Sequence, residues 1–180
     1  IVECTGNLHY EGIAIALLLL AISYAGKSLV ASSAFFSSAT LVKLNPALLM
    51  PLLLKYWKLQ RGLYFLLITM AITFGGLFLG FGEDLLKLKN SILLYYQSFE
   101  FNAGVYYLIR EIARWYTGYN AIAYIGPSLF LLSALSILLI TLRSETSSMR
   151  GVMTGAFISY SIYFFFSTTI HPWYILFPLV

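Results

Sequence analysis

Charge is what this 180-residue chain has least of. Asp, Glu, Lys and Arg make up 10% of it against 60% hydrophobic residues, and the mean hydropathy of +0.84 excludes an ordinary soluble domain. A single cysteine, Cys4, permits no internal disulfide and carries no message about redox compartment. With two histidines in all and no H-x-x-x-H or C-x-x-C spacing, no metal and no cofactor is expected. A glycine-rich phosphate loop, a nucleophile elbow, a heptad seam, internal repeats and low-complexity segments are also missing. No basic stretch precedes the first apolar run, so no cleavable signal peptide is expected. The first residue is Ile1 and the last run stops while still apolar, so the chain reads as a fragment of a longer protein, truncated at both ends. The net charge of +4 does not point to nucleic acid, because the basic residues are scattered between apolar runs.

What is there is a succession of apolar runs, which gives the expected fold: an all-α, polytopic transmembrane helical bundle, residues 1–180 forming part of one membrane domain. A polar opening, Glu3-Cys4-Thr5-Gly6-Asn7-Leu8-His9-Tyr10-Glu11-Gly12, leads into a span from about Ile13 to Ala25 that ends at Gly26-Lys27. The next run, Ser28 to Val42, carries small residues (Ser32, Ser33, Ser37, Ser38) that allow close helix packing. Lys43-Leu44-Asn45-Pro46 interrupts it, and Ala47 to Leu54 resumes it before the basic cluster Lys55, Lys58, Arg61. One helix from Ser28 to Leu54 would be roughly 40 Å long, too long without strong tilt. A short helical hairpin turning at Asn45-Pro46 instead places Lys27 and the basic cluster on one side, the cytoplasm. Its arms would be about 22 Å and 15 Å long.

Alternation then assigns Leu63 to Gly80 outward, with Gly75-Gly76 as a close contact. Residues 82–119 form an extracytoplasmic loop, Ala121 to Leu142 returns, and Val152 to Ile170 crosses out again to His171. In the loop, Leu85, Leu88, Ile92, Tyr95 or Tyr96, and Phe99 recur at helical spacing. A second helix, Val105 to Tyr116, sets Leu108, Ile109 and Ile112 on one face and Tyr106, Arg110 and Arg114 on another. Both read as amphipathic helices lying in the interface, with membrane lipids as partners.

The stretch Ser167-Thr168-Thr169-Ile170-His171-Pro172-Trp173-Tyr174 sits between two apolar segments. His171 there is an ionisable group near membrane depth, a functional hypothesis by default. Trp173 and Tyr174 fit a stacking role or an interfacial aromatic belt equally well. Lys43 lies in an apolar run and needs an anion, either a phosphate or a carboxylate. Arg110 and Arg114 suit a phosphate, headgroup snorkelling or pairing with Glu111. Glu100 and Asn102 suit sugar hydroxyls, and Asn102 also suits the N-cap of the second helix. Glu3 or Glu11 could act as a general base, a helix-start carboxylate being the commoner case.

Val42-Lys43-Leu44-Asn45-Pro46 resembles the Lys-x-x-Pro turn between short helices of membrane-embedded GT-C glycosyltransferases, notably polyprenyl-phosphate-mannose-dependent mannosyltransferases. Glu3 to Gly12 (ECTGNLHYEG), Phe99 to Arg110 (FEFNAGVYYLIR) and His171 to Tyr174 (HPWY) are similar, in the same order, to segments of a bacterial branch. The resemblance implies a multi-pass protein of the bacterial inner membrane that moves a hexose, mannose by analogy, from a polyprenyl-phosphate donor to a lipid or glycan acceptor on the extracytoplasmic face. It implies an acidic base on a first outer loop, expected upstream of Ile1, with Glu3 a weak substitute. Lys43, Arg110, Arg114 and His171 would then meet the donor phosphate, without a metal. Asn7, His9, Glu100, Asn102, Trp173 and Tyr174 would meet sugar or acceptor. The rival class is a multi-pass transporter or non-catalytic membrane subunit. Its expected marks are repeated halves and intramembrane carboxylates, and the carboxylates here all fall outside the apolar runs.

Overall fold

The computed structural model describes residues 10–179, and among these the chain is all-helical. Helix α1 (Glu11–Ala25) is an apolar run unbroken by proline, and it stops at Gly26. Helix α2 (Leu29–Val42) starts where the Ser28 hydroxyl accepts a hydrogen bond from the Ala31 amide at 3.2 Å. These two helices run antiparallel: the Ser32 hydroxyl donates to the Ala21 carbonyl at 2.8 Å near one end, and Lys43 meets Glu11 at the other. The small side chains of α2 let it sit close to neighbours on both faces. Ser37 donates to the Thr69 carbonyl at 3.2 Å on the side away from α1.

The chain breaks after Val42. Lys43 is extended, and a 3₁₀ turn, Asn45–Leu49, leads into α3 (Met50–Phe81). Pro46 stands at the start of that turn, where its missing amide hydrogen does no harm. Helix α3 is two arms, for Lys58 interrupts it at φ 61°, ψ 177°. The first arm returns alongside α2, bringing the Tyr56 hydroxyl to within 3.6 Å of a side chain built at Gly26. The second arm then climbs parallel to α2: Phe65 packs on Phe36 with ring centres 5.6 Å apart, Thr69 meets Ser37, and Gly76 lies against Leu41. The reversal is tight. A Cβ at Gly62 would stand 2.9 Å from the Leu54 carbonyl oxygen. Gly76 makes the expected close contact, while Gly75 has nothing within 4 Å.

Beyond α3 come α4 (Leu85–Ser98), α5 (Gly104–Thr117), α6 (Ile122–Arg143), α7 (Met149–Phe166) and a last turn, α8 (Leu176–Leu179). Gly118 ends α5 in the left-handed conformation at φ 77°, which a glycine takes without strain. Two corrections to the sequence reading concern this half. Asn102 is not the N-cap of α5. Ala103 is, and Asn102 instead takes a left-handed φ of 52°, a conformation asparagine tolerates better than most residues. The run from Val152 does not stay helical to Ile170, because α7 stops at Phe166 and the next residues leave the helix to pair with another strand-like segment.

Two helical stretches, Asn45–Phe81 and Ile122–Arg143, are long and apolar enough to cross a membrane, with mean hydropathies of 2.0 and 2.2. Only 17% and 28% of their most apolar windows are buried, too little for the core helices of a soluble protein. The arm after Lys58 alone would be about 35 Å long. Helices α1 and α2, at 15 and 14 residues, are shorter than the roughly 20 that a span needs. The main core joins α1, α2, the start of α3 and α7, and Lys55 ties α6 to it. The Lys55 ammonium donates to the carbonyls of Thr141, Leu142 and Ser144 at 3.0, 2.8 and 2.7 Å, satisfying the C-terminal end of α6.

Candidate functional site

The polar residues gather at the end of the helices opposite Lys55. Lys43 occupies the break after α2, where its own amide still donates to the Ala39 carbonyl and its side chain is free of the helix. Its ammonium pairs with the Glu11 carboxylate in the first turn of α1, and the two side chains are 24% and 2% exposed. The carboxylate gains from the positive end of α1 as well as from the lysine. On its other side the ammonium lies 4.2 Å from the centre of the Tyr174 ring, whose electron-rich face attracts a cation. The anion Lys43 needs is therefore supplied by the chain itself.

A cavity of about 300 Å³ opens beside this lysine. Lys43 and Asn45 line it from the turn, Ser91 and Tyr95 from α4, Tyr163 from α7, and Tyr174 from the segment after α7. The side-chain amide nitrogen of Asn45 is buried and has no hydrogen-bond partner among the described residues, a donor left for something else to fill. Burial pushes the Tyr95 phenol above its ordinary value, against hydrogen bonds with Tyr174 and Thr169 that act in the other direction. An ammonium, an amide, hydroxyls and aromatic faces around one small space suit a ligand with polar oxygens and a ring face to cover.

Behind Tyr174 stands a ring stack. The His171 imidazole lies flat on Trp173 at 4.7 Å and on Phe101 at 5.0 Å, with Tyr174 edge-on at 5.2 Å. Phe101 reaches it because the backbone pairs there: its amide donates to the Thr168 carbonyl at 3.0 Å, and the Ile170 amide donates back at 2.8 Å. The Thr169 hydroxyl donates to the Phe99 carbonyl at 3.1 Å. This pairing joins the segment before α5 to the segment after α7, two stretches far apart in sequence that were singled out separately.

Glu100 is held by a different set of neighbours. It accepts hydrogen bonds from the Tyr106 hydroxyl, from the Asn120 amide at 3.2 Å and from Arg110 at 2.7 Å. Burial alone would raise the Glu100 carboxyl, but the Tyr106 and Asn120 hydrogen bonds and the Arg110 charge outweigh it and hold it below its ordinary value. Burial, followed by the bond to Glu100, pushes the Tyr106 phenol up. Arg110 also sets its other edge on Glu111 at 2.7 Å and its guanidinium 4.7 Å from the Tyr107 ring centre. This network fastens α5 down.

The eight described residues assigned from sequence to phosphate or sugar thus divide between two places. Lys43 and Tyr174 line the cavity, and His171 and Trp173 back it. Glu100 and Arg110 belong to the α5 network, and Arg114 is exposed in the last turn of that helix, where its charge meets the negative end of the dipole. Asn102 is exposed beside Phe101. Glu3, Asn7 and His9 lie outside the described residues. Sequence reading missed Asn45, Tyr95, Tyr163 and Asn120. Asn45 was read as a turn residue and Tyr95 as part of an apolar face, while Tyr163 was hidden within an aromatic run. No family model, curated protein or solved structure matches this chain.

Proposed function

We propose that this chain is a polytopic membrane protein of the GT-C glycosyltransferase type. On this reading it moves a hexose, mannose by its resemblance, from a polyprenyl-phosphate donor to a lipid or glycan acceptor on the face away from the cytosol. The observation that carries the reading is the cavity at Lys43: a cation, an unfilled amide donor and three tyrosines at the end of the helices opposite the basic cluster. In the transfer, the bond from the anomeric carbon to the phosphate oxygen breaks, and the acceptor oxygen bonds to that carbon. Charge grows on the departing phosphate, and Lys43 and Asn45 are the groups positioned to meet it in surroundings of low dielectric. Tyr174 and Tyr163 cover the sugar, and the His171–Trp173 stack holds Tyr174 in place. Glu11 balances the Lys43 charge through the ion pair between them. The acceptor's proton passes to a carboxylate base, for which Glu3, outside the described residues, is the candidate within this sequence.

Interfacial placement of α5 fits the same reading. Leu108, Ile112 and Trp115 lie along one face and are 68%, 56% and 85% exposed, a stripe suited to the headgroup–acyl boundary. The transporter reading gains one observation of its own, for Glu11 is a buried carboxylate paired across two helices, a device common in ion-coupled carriers. One assay separates the two. Protein reconstituted in sealed vesicles is supplied with radiolabelled polyprenyl-phosphate mannose and a membrane-lipid acceptor fraction. The transferase reading expects labelled product, reduced roughly a hundredfold by Lys43→Ala, reduced also by Tyr174→Ala, and unaffected by Arg61→Ala. Absence of product, or product undiminished from wild type in both site variants, contradicts it.

A further inference from the structure

The opposite end of the molecule holds a second cavity, of about 440 Å³, between the C-terminus of α6 and the start of α7. Arg143 and Arg150 line it together with Glu145, and neither arginine makes an ion pair among the described residues. The Ser148 hydroxyl caps α7 by accepting from the Gly151 amide at 3.2 Å. The full positive charges at the cavity are those of the two guanidiniums. Two of them against one carboxylate leave a single net positive charge, matching one phosphodiester. The walls change character along the helices: the charged residues sit at the loop, while Ile140 and Ile158 line the part further along α6 and α7. Ile158 is about 12 Å along the helix axis from Arg150. A space polar at one end and apolar at the other takes an amphiphile.

We infer that this cavity binds one phospholipid of net charge −1, its phosphodiester between Arg143 and Arg150 and the start of an acyl chain along Ile140 and Ile158. Helix α6 is long and apolar enough to cross a membrane and ends at Arg143, which sets the guanidiniums at headgroup depth. Basic pockets between helices at that depth hold anionic headgroups, each arginine contributing a modest attraction that the planar fork makes directional. The site is separate from the Lys43 cavity and does not depend on the glycosyltransferase reading.

Native mass spectrometry of the protein released from nanodiscs of phosphatidylglycerol and phosphatidylcholine tests it. Wild type is expected to retain one phosphatidylglycerol in preference to phosphatidylcholine. The double variant R143A/R150A is expected to retain it roughly thirtyfold less well. Ile158→Trp, which keeps both charges and blocks the apolar end, is expected to lose it too, and Arg61→Ala is expected to retain it. Equal retention by wild type and R143A/R150A overturns the assignment. So does competition by glycerol phosphate as strong as that by phosphatidylglycerol, which would make this a site for a soluble anion. Retention unchanged in Ile158→Trp overturns the acyl-chain half of the proposal.

Discussion

Lys43 and Glu11 each sit where a lone charge would be costly, so removing either strands the other. With the carboxylate 2% exposed, Lys43→Met or Glu11→Gln is expected to destabilise the fold by roughly 3–5 kcal/mol. The double variant is expected to cost clearly less than the sum, as measured by thermal unfolding in detergent. Additive costs would mean that the pair is not coupled. Glu100 gives a pH-dependent counterpart. Its folded-state value lies below the ordinary 4.5, so the network contributes in full above that value and is lost as the pH falls through the depressed one. Acid melting curves should show this loss in wild type, and Glu100→Gln should show less of it. The same acid dependence in both proteins would assign it to other carboxylates. At this scale the sequence pointed to Lys43, Tyr174, His171 and Trp173 because a charge, a histidine or a tryptophan is conspicuous in an apolar chain. Asn45, Tyr95 and Tyr163 acquire their meaning only from neighbours that folding brings from three different elements, and no local spacing records that.

Among the elements, the break at Asn45-Pro46 was legible because proline removes a hydrogen bond and restricts the residue before it. The second reversal was legible only as a cluster of charge. Lys55 to Arg61 contains ordinary helix formers, and the chain turns there through one residue, Lys58, at a φ and ψ that only glycine adopts easily. That conformation is imposed by packing on both sides, where Trp57 stacks on Phe65 at 6.3 Å and Gly62 passes the Leu54 carbonyl. Lys58→Gly is therefore expected to stabilise the protein by about 1 kcal/mol, seen as a higher melting temperature. A lower one would show that the lysine side chain supports the turn. The early end of α7 was illegible for a related reason. Ser167 to Ile170 contain no proline or glycine to stop a helix, and what draws them out is the backbone of Phe101, some seventy residues earlier.

For the molecule as a whole, the alternation of apolar runs was enough to assign an all-helical chain, with Lys27, Lys55, Lys58, Arg61, Arg143 and Arg150 expected at one end. The contacts agree in direction: Tyr56 lies near Gly26 and Lys55 caps α6 at one end, while Glu11, Lys43 and Tyr174 meet at the other. The proposed function rests on this doubling back, since it would put the cavity and the basic cluster on opposite faces of a membrane. Single cysteines introduced at Leu44 and at Gln60 in a Cys4→Ser background, treated on intact cells with a membrane-impermeant maleimide, test it most directly. The account predicts labelling at position 44 from outside and labelling at position 60 only after the cells are opened. Labelling of both positions on intact cells would contradict it.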